Sequence, residues 1–154
     1  MAHAVTVQAV TPRILAAVHR QVKVGEVAKV FAPALDEVWA FLRRHPGLRS
    51  DGHNVFLYHH ASHQPAAGLE VDFGVEVTRH FQAQRPLACV ETPAGRAAVV
   101  VHRGGYGGIA VAHAALHRWC SDKGETIGHC SWEIYGDHDE DPSKLETTIF
   151  YLLA

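Results

Sequence analysis

Apolar and polar residues alternate from Val5 to Val10, and a period of two predicts a strand there. Pro12 interrupts it, and strand character resumes from Ile14 to His19. From Glu26 to Arg44 the spacing changes to three and four. Val27, Val30, Phe31, Ala34, Leu35, Val38, Phe41 and Leu42 form one apolar stripe, the mark of an amphipathic helix. Pro33 falls inside it, so the helix is expected to start or bend there, and His45-Pro46-Gly47 ends it. Val55–His60 reads as a strand, and Ser62–Gly68, containing Pro65, as a loop. Leu69–Val77 sets Leu, Val, Phe, Val and Val against Glu, Asp, Gly and Glu, the pattern of a strand with one solvated face.

The same programme then restarts. Ala97–His102 is an apolar strand, and Gly104-Gly105-Tyr106-Gly107-Gly108 a turn. Ile109–Trp119 is helical, with Ile109, Ala112, Leu116 and Trp119 on one face, and Asp122-Lys123-Gly124 stops it. Cys130–Tyr135 is a strand, Gly136–Ser143 an acidic loop containing Pro142, and Leu145–Leu153 the closing strand. Val18-His19-Arg20 recurs as Val101-His102-Arg103, and Leu69-Glu70 as Leu145-Glu146. Phe56-Leu57-Tyr58 is answered by Glu133-Ile134-Tyr135. Each half, about residues 1–80 and 81–154, therefore reads strand, helix, strand, strand. Duplication of a unit that cannot cover its own sheet explains this order. The expected fold is α+β, with two such modules side by side. They share an antiparallel sheet with helices on one face, the joint sheet presenting the other, and a cleft at the seam.

Composition narrows the function. The chain has 154 residues, 47% hydrophobic and 19% charged, so it can build its own core. The net charge of -2, with no basic run, argues against nucleic acid or a membrane surface as partner. No apolar stretch approaches the roughly 20 residues of a membrane span. The N-terminus lacks the basic and apolar regions of a secretory signal, and Cys89, Cys120 and Cys130 do not form a disulfide pattern; a reducing cytoplasm is expected.

The candidate chemistry gathers on strands near the seam. Phe56, Tyr58, Phe73, Trp132, Tyr135 and Phe150 are all strand aromatics, and core packing accounts for most of them. Glu133 stands apart, a carboxylate between Trp132 and Ile134 in an apolar run. Alternation puts Glu133 and Tyr135 on one face and Trp132 and Ile134 on the other. Glu133 is then either on a solvated face or buried for a purpose, to meet a cationic or polar ligand or to act as an acid or base. The glycines around Tyr106 do not have phosphate-loop spacing, and a strand-to-helix turn needing positive φ explains them as well. The 13 histidines include His113 and His117, four apart on a predicted helix, and the group His59, His60 and His63. Neither set has a carboxylate or cysteine at motif spacing, so they read as solvated side chains, and no metal or cofactor is expected.

Three segments resemble the GyrI-like small-molecule-binding family, the effector-binding domain of AraC- and MerR-type multidrug regulators. They are Val18-His19-Arg20, His102-Arg103-Gly104-Gly105-Tyr106, and Trp132-Glu133-Ile134-Tyr135 followed by Asp141-Pro142-Ser143-Lys144-Leu145-Glu146-Thr147. The resemblance implies a tandem SHS2-type fold around an aromatic ligand cleft. In it a glutamate, matched by Glu133 with Tyr135 beside it, meets cationic drugs. Phe56, Tyr58, Phe73, Tyr106, Trp132 and Phe150 are the further candidate ligand contacts. Where the family's closing strand often reads Thr-Glu or Thr-Asp, this chain has Thr147-Thr148. Family regulators carry a helix-turn-helix, for which the chain has no residues left, so a stand-alone member without direct DNA contact is expected.

Three functions follow. The first is a small-molecule binding module. The second is a hydrolase of strained or electrophilic compounds using Glu133 and Tyr135, as the resemblance implies for some members. The third is an inhibitor of a protein such as DNA gyrase, with Asp137, Asp139, Glu140 and Asp141 as an acidic patch. Pattern reading specifies neither the ligand nor an oligomeric state.

Overall fold

The computed structural model describes residues 3–23, 25–60 and 69–154. The Ser62–Gly68 loop and His63 lie outside the described residues. The strands are β1 (Thr6–Val10), β2 (Ile14–Val22), β3 (Arg49–His59), β4 (Leu69–Val77), β5 (Leu87–Glu91), β6 (Gly95–Arg103), β7 (Ile127–Tyr135) and β8 (Glu146–Leu153). The helices are α1 (Val27–Arg44) and α2 (Ile109–Lys123). The strands form one antiparallel sheet in the order β1-β6-β8-β7-β3-β4-β2-β5. The order is palindromic about the β3–β7 junction: β2-β4-β3 on one side answers β6-β8-β7 on the other. The duplicated strand-helix-strand-strand architecture is thus present.

Several local expectations change. Helix α1 runs through Pro33 without a break. The proline leaves one carbonyl without its helical donor, but Pro33 and Lys29 both sit on the exposed face, where water supplies it. Strand β4 is buried on both faces, not solvated on one, because α1 covers Val71 and Phe73 and the curled sheet encloses Asp72 and Gly74. Strand β5 has no counterpart in the pattern reading. A sequence signal for it exists: Thr11-Pro12 before β2 recurs as Thr92-Pro93 before β6.

The matched triplets are also one residue out of step. The β2–β4 and β6–β8 ladders, taken with β3–β4 and β7–β8, put Val18 in the place of Val100, not Val101. Burial agrees, since Val18 and Val100 are buried and Val101 is 39% exposed. A slip of one residue exchanges the faces of a strand, so only the ladder-based register keeps both halves' cores intact.

Each lead strand adds to the other half: β1 pairs with β6 and β5 with β2. Only Thr11-Pro12-Arg13 joins β1, at one edge, to β2, near the other. The sheet must therefore curl until its edges meet. Next to the β2–β5 ladder the two connectors bond each other, Thr92 N–H to the Arg13 carbonyl at 3.0 Å and Arg13 N–H to Thr92 Oγ1 at 2.8 Å. Curling closes the concave face into a core of its own. Leu15, Ala17, Val55, Leu57, Val99, Trp132 and Phe150 pack there, so the sheet does not present that face to solvent. The convex face carries both helices. Helix α1 covers Val18, Phe56, Val71 and Phe73, and α2 covers Ala98, Val100, Ile149 and Tyr151. Gly124, at φ 68°, caps α2 in the left-handed conformation and turns the chain into β7.

Candidate ligand-binding cleft

Between α1 and α2, above β3 and β7, lies a cleft of about 570 Å³. Its walls follow from two periodicities. Val27, Phe31, Leu35 and Trp39, each four apart, form one ridge of α1 that lines the cleft, while Ala34, Val38, Phe41 and Leu42 go to the core. Alternate residues of the strands supply the floor: Phe56 and Tyr58 from β3, Glu133 and Tyr135 from β7. The far wall is Tyr106 and Ile109, where β6 passes into α2. This turn is shaped by packing. Gly104 has φ 124°, and a Cβ on Gly108 would lie 2.7 Å from His102 Cε1. His102 in turn bonds the Gly105 carbonyl at 2.9 Å, and Tyr106 meets Tyr135 edge-on at 5.7 Å.

Glu133 is 4% exposed and fully hydrogen-bonded. Its Oε1 accepts from Tyr58 at 2.9 Å and Tyr135 at 2.6 Å, and its Oε2 accepts from His113 Nε2 at 2.5 Å. Burial pushes its carboxyl up, but the bonds from His113, Tyr135 and Tyr58 outweigh that and hold it below its ordinary value. Burial and the neighbouring carboxylate raise both tyrosine hydroxyls, which stay protonated and serve as donors. Behind His113, Tyr151 lies 2.6 Å from Nδ1 and 3.1 Å from His117 Nε2. The hydrogen bonds run on without a break: His113 Nε2–H donates to Glu133, and the Tyr151 hydroxyl joins His113 Nδ1 to His117 Nε2. Burial lowers the His117 imidazole at the far end.

Of the sequence candidates, Phe56, Tyr58, Tyr106, Glu133 and Tyr135 converge on the cleft. Phe73 is wholly buried beneath Phe56, edge-on at 4.8 Å. Trp132 and Phe150 lie apart from this cleft: they stack at 5.1 Å within the concave core, because alternation turns them to the other face. Thr148 pairs with Ile134, a concave-face residue, so the position where the family often has an acid points away from Glu133. His113 and His117 are likewise not merely solvated; they carry the Glu133–Tyr151 chain. Phe31, Trp39, His113 and Tyr151 were not among the candidates. The i, i+4 ridge ending in Trp39 was a visible signal for the first two. His113 and Tyr151 had none, being apart in sequence from Glu133. In the acidic loop, Asp137 lines the cleft mouth and bonds His53 at 2.8 Å, while Asp141 caps the turn at Ser143.

A profile of the GyrI-like small molecule binding domain matches residues 3–153. The chain belongs to the GyrI-like small-molecule-binding family. No curated protein matches it. Among solved structures, the EcmrR C-terminal domain is similar at 20% identity and TM-score 0.80, with 100% of this chain and 99% of that one covered. A hydrolase encoded by lin2189 from Listeria innocua is similar at 11% identity and TM-score 0.64, over 99% and 93% of the two chains. SAV2435 bound to tetraphenylphosphonium is similar at 12% identity and TM-score 0.65, over 98% and 94%. These neighbours share the chain's fold, two helices on a curled sheet. No helix among the described residues is long and apolar enough to cross a membrane.

Proposed function

We propose that this GyrI-like domain binds lipophilic, aromatic organic cations in the cleft between α1 and α2, with Glu133 as counter-ion. The observation that carries the reading is an ionised carboxylate, almost wholly buried, at the floor of a cleft walled by Phe31, Trp39, Phe56, Tyr58, Tyr106 and Tyr135. Aromatic faces attract a cation that has lost its water, and a buried carboxylate adds a charge that solvent cannot screen. The cleft's 570 Å³ suits a drug-sized molecule. That SAV2435, a protein of the same fold, is bound to tetraphenylphosphonium supports this ligand class. The proposal includes a reducing cytoplasm, in keeping with the free thiols of Cys89, Cys120 and Cys130.

The test is calorimetric titration with tetraphenylphosphonium and with tetraphenylborate, which matches it in shape and reverses its charge. Wild type is expected to bind the cation at least tenfold more tightly, a difference of about 1.4 kcal/mol. Glu133→Gln is expected to erase that preference. Equal affinities for the two ions in wild type would overturn the reading.

One observation favours a hydrolase as the second reading: the Tyr58 and Tyr135 hydroxyls both converge on Glu133 Oε1, so an acid and a base lie within one hydrogen bond. Three donors make that carboxylate a weak base, which is why binding is preferred. Release of product from an electrophilic substrate, abolished in Tyr135→Phe, would reverse the order of the two.

A further inference from the structure

On the concave side of the sheet, away from the cleft, four side chains from three adjacent strands meet. His19 stands on β2, His59 on β3, and Glu70 and Asp72 on β4. The Asp72 side chain is 8% exposed, and each of its oxygens faces an imidazole: Oδ1 lies 2.7 Å from His19 Nδ1, and Oδ2 lies 2.7 Å from His59 Nε2. The other ring nitrogen of His19, Nε2, bonds Glu70. Ligand atoms of His19, His59 and Asp72 all lie within 4.8 Å of one another.

The protonation of this group is informative. A neutral imidazole has one N–H, yet both nitrogens of His19 face carboxylates. An added proton on His19 would satisfy them, and so would a metal ion at Nδ1, with Nε2–H left for Glu70. The second arrangement is the carboxylate–histidine–metal pattern that orients metal-bound imidazoles. The rings of His19 and His59 are 50% and 36% exposed, which leaves a route for an ion and a position for water.

We propose that His19 Nδ1, His59 Nε2 and the Asp72 carboxylate bind a divalent zinc-like cation, with Glu70 orienting His19. Two imidazoles and one carboxylate suit zinc, with bonds near 2.0–2.2 Å and water as the fourth ligand. Tetrahedral ligand atoms at that bond length stand about 3.4 Å apart, so the 2.7 Å contacts open by about 0.7 Å as the ion enters. The ion displaces to solvent the protons now shared between the rings and Asp72. Sequence spacing could not reveal the site, because its ligands come from three strands that only the sheet brings together.

The test uses the full chain stripped with chelator and titrated with zinc chloride, with cobalt(II) as the optical probe. One ion per chain and tetrahedral cobalt absorption are expected. His19→Gln combined with His59→Gln should abolish binding, and Glu70→Gln should weaken it roughly tenfold while keeping the stoichiometry. Ring-nitrogen NMR of the wild-type histidines reads the site without any substitution, and zinc should move the signals of His19 and His59. No stoichiometric binding would overturn the proposal. So would binding that survives the double substitution, or zinc that moves His113 and His117 in their place.

Discussion

Phe56 and Glu133 are direct partners across the β3–β7 ladder, at the junction where the two halves of the sheet meet. They occupy equivalent places in the two halves. Tyr58 and Tyr135, each two residues further along, are equivalent as well. The pseudo-twofold axis passes through the Phe56–Glu133 pair. Both tyrosine hydroxyls therefore reach the same carboxylate oxygen, at 2.9 and 2.6 Å. One departure from symmetry, a glutamate where the other half has phenylalanine, turns a symmetric aromatic seam into a charged site.

Acid should release the ligand. Hydrogen bonds hold the Glu133 carboxyl below its ordinary value of 4.5. A depressed carboxyl contributes stability above its unfolded value, and that contribution is lost as pH falls through the folded value. Tetraphenylphosphonium affinity is expected to be level from pH 7 to pH 5 and to fall below pH 4.5, in parallel with the denaturation midpoint. Titrations across that range in Glu133→Gln should show neither decline from this group.

Phe31 is 37% exposed on the cleft ridge of α1, whereas Trp132 is buried in the concave core. Phe31→Ala is expected to weaken cation binding several-fold and to leave the melting temperature within about 2 °C. Trp132→Ala should cost about 3–5 kcal/mol of stability. Calorimetry and urea denaturation of the two variants separate these roles.

Gly74 sits on β4 where a Cβ would lie 3.0 Å from the Ala16 carbonyl oxygen and 3.1 Å from Ala17 Cβ. Backbone on β2 cannot give way without disturbing its ladder. Gly74→Val should destabilise by about 1–3 kcal/mol, measured by urea denaturation, through overpacking.

Removing the hydroxyl of Tyr151 breaks the chain behind Glu133. Tyr151→Phe leaves His113 Nδ1 and His117 Nε2 without their shared partner. A loss of about 1–2 kcal/mol in stability is expected, together with a moved His113 Nδ1 signal in ring-nitrogen NMR. An unchanged His113 Nδ1 signal would detach Tyr151 from the Glu133 network.

Much of the fold was legible along the chain. The period-two runs around Val55 and Leu69, the stripe from Val27 to Leu42, and the recurrence of Phe56-Leu57-Tyr58 as Glu133-Ile134-Tyr135 are local patterns, and local patterns report which face of an element is apolar. They placed Glu133 and Tyr135 on one face and Trp132 on the other. They could not say which face bears the cleft, so Trp132 and Phe150 were counted with it.

Tertiary structure decided the rest, because distance in space is not written in spacing along the chain. His113 meets Glu133 only once α2 lies over β6 and β8, beside β7. His19, His59 and Asp72 meet only through the ladders of β2, β3 and β4. The exchange of β1 and β5 between the halves depends on the curl of the whole sheet. The sequence by itself determined every element but β5, most of their apolar faces and the duplication. The curl determined which polar groups end up sharing a proton, a ligand or an ion.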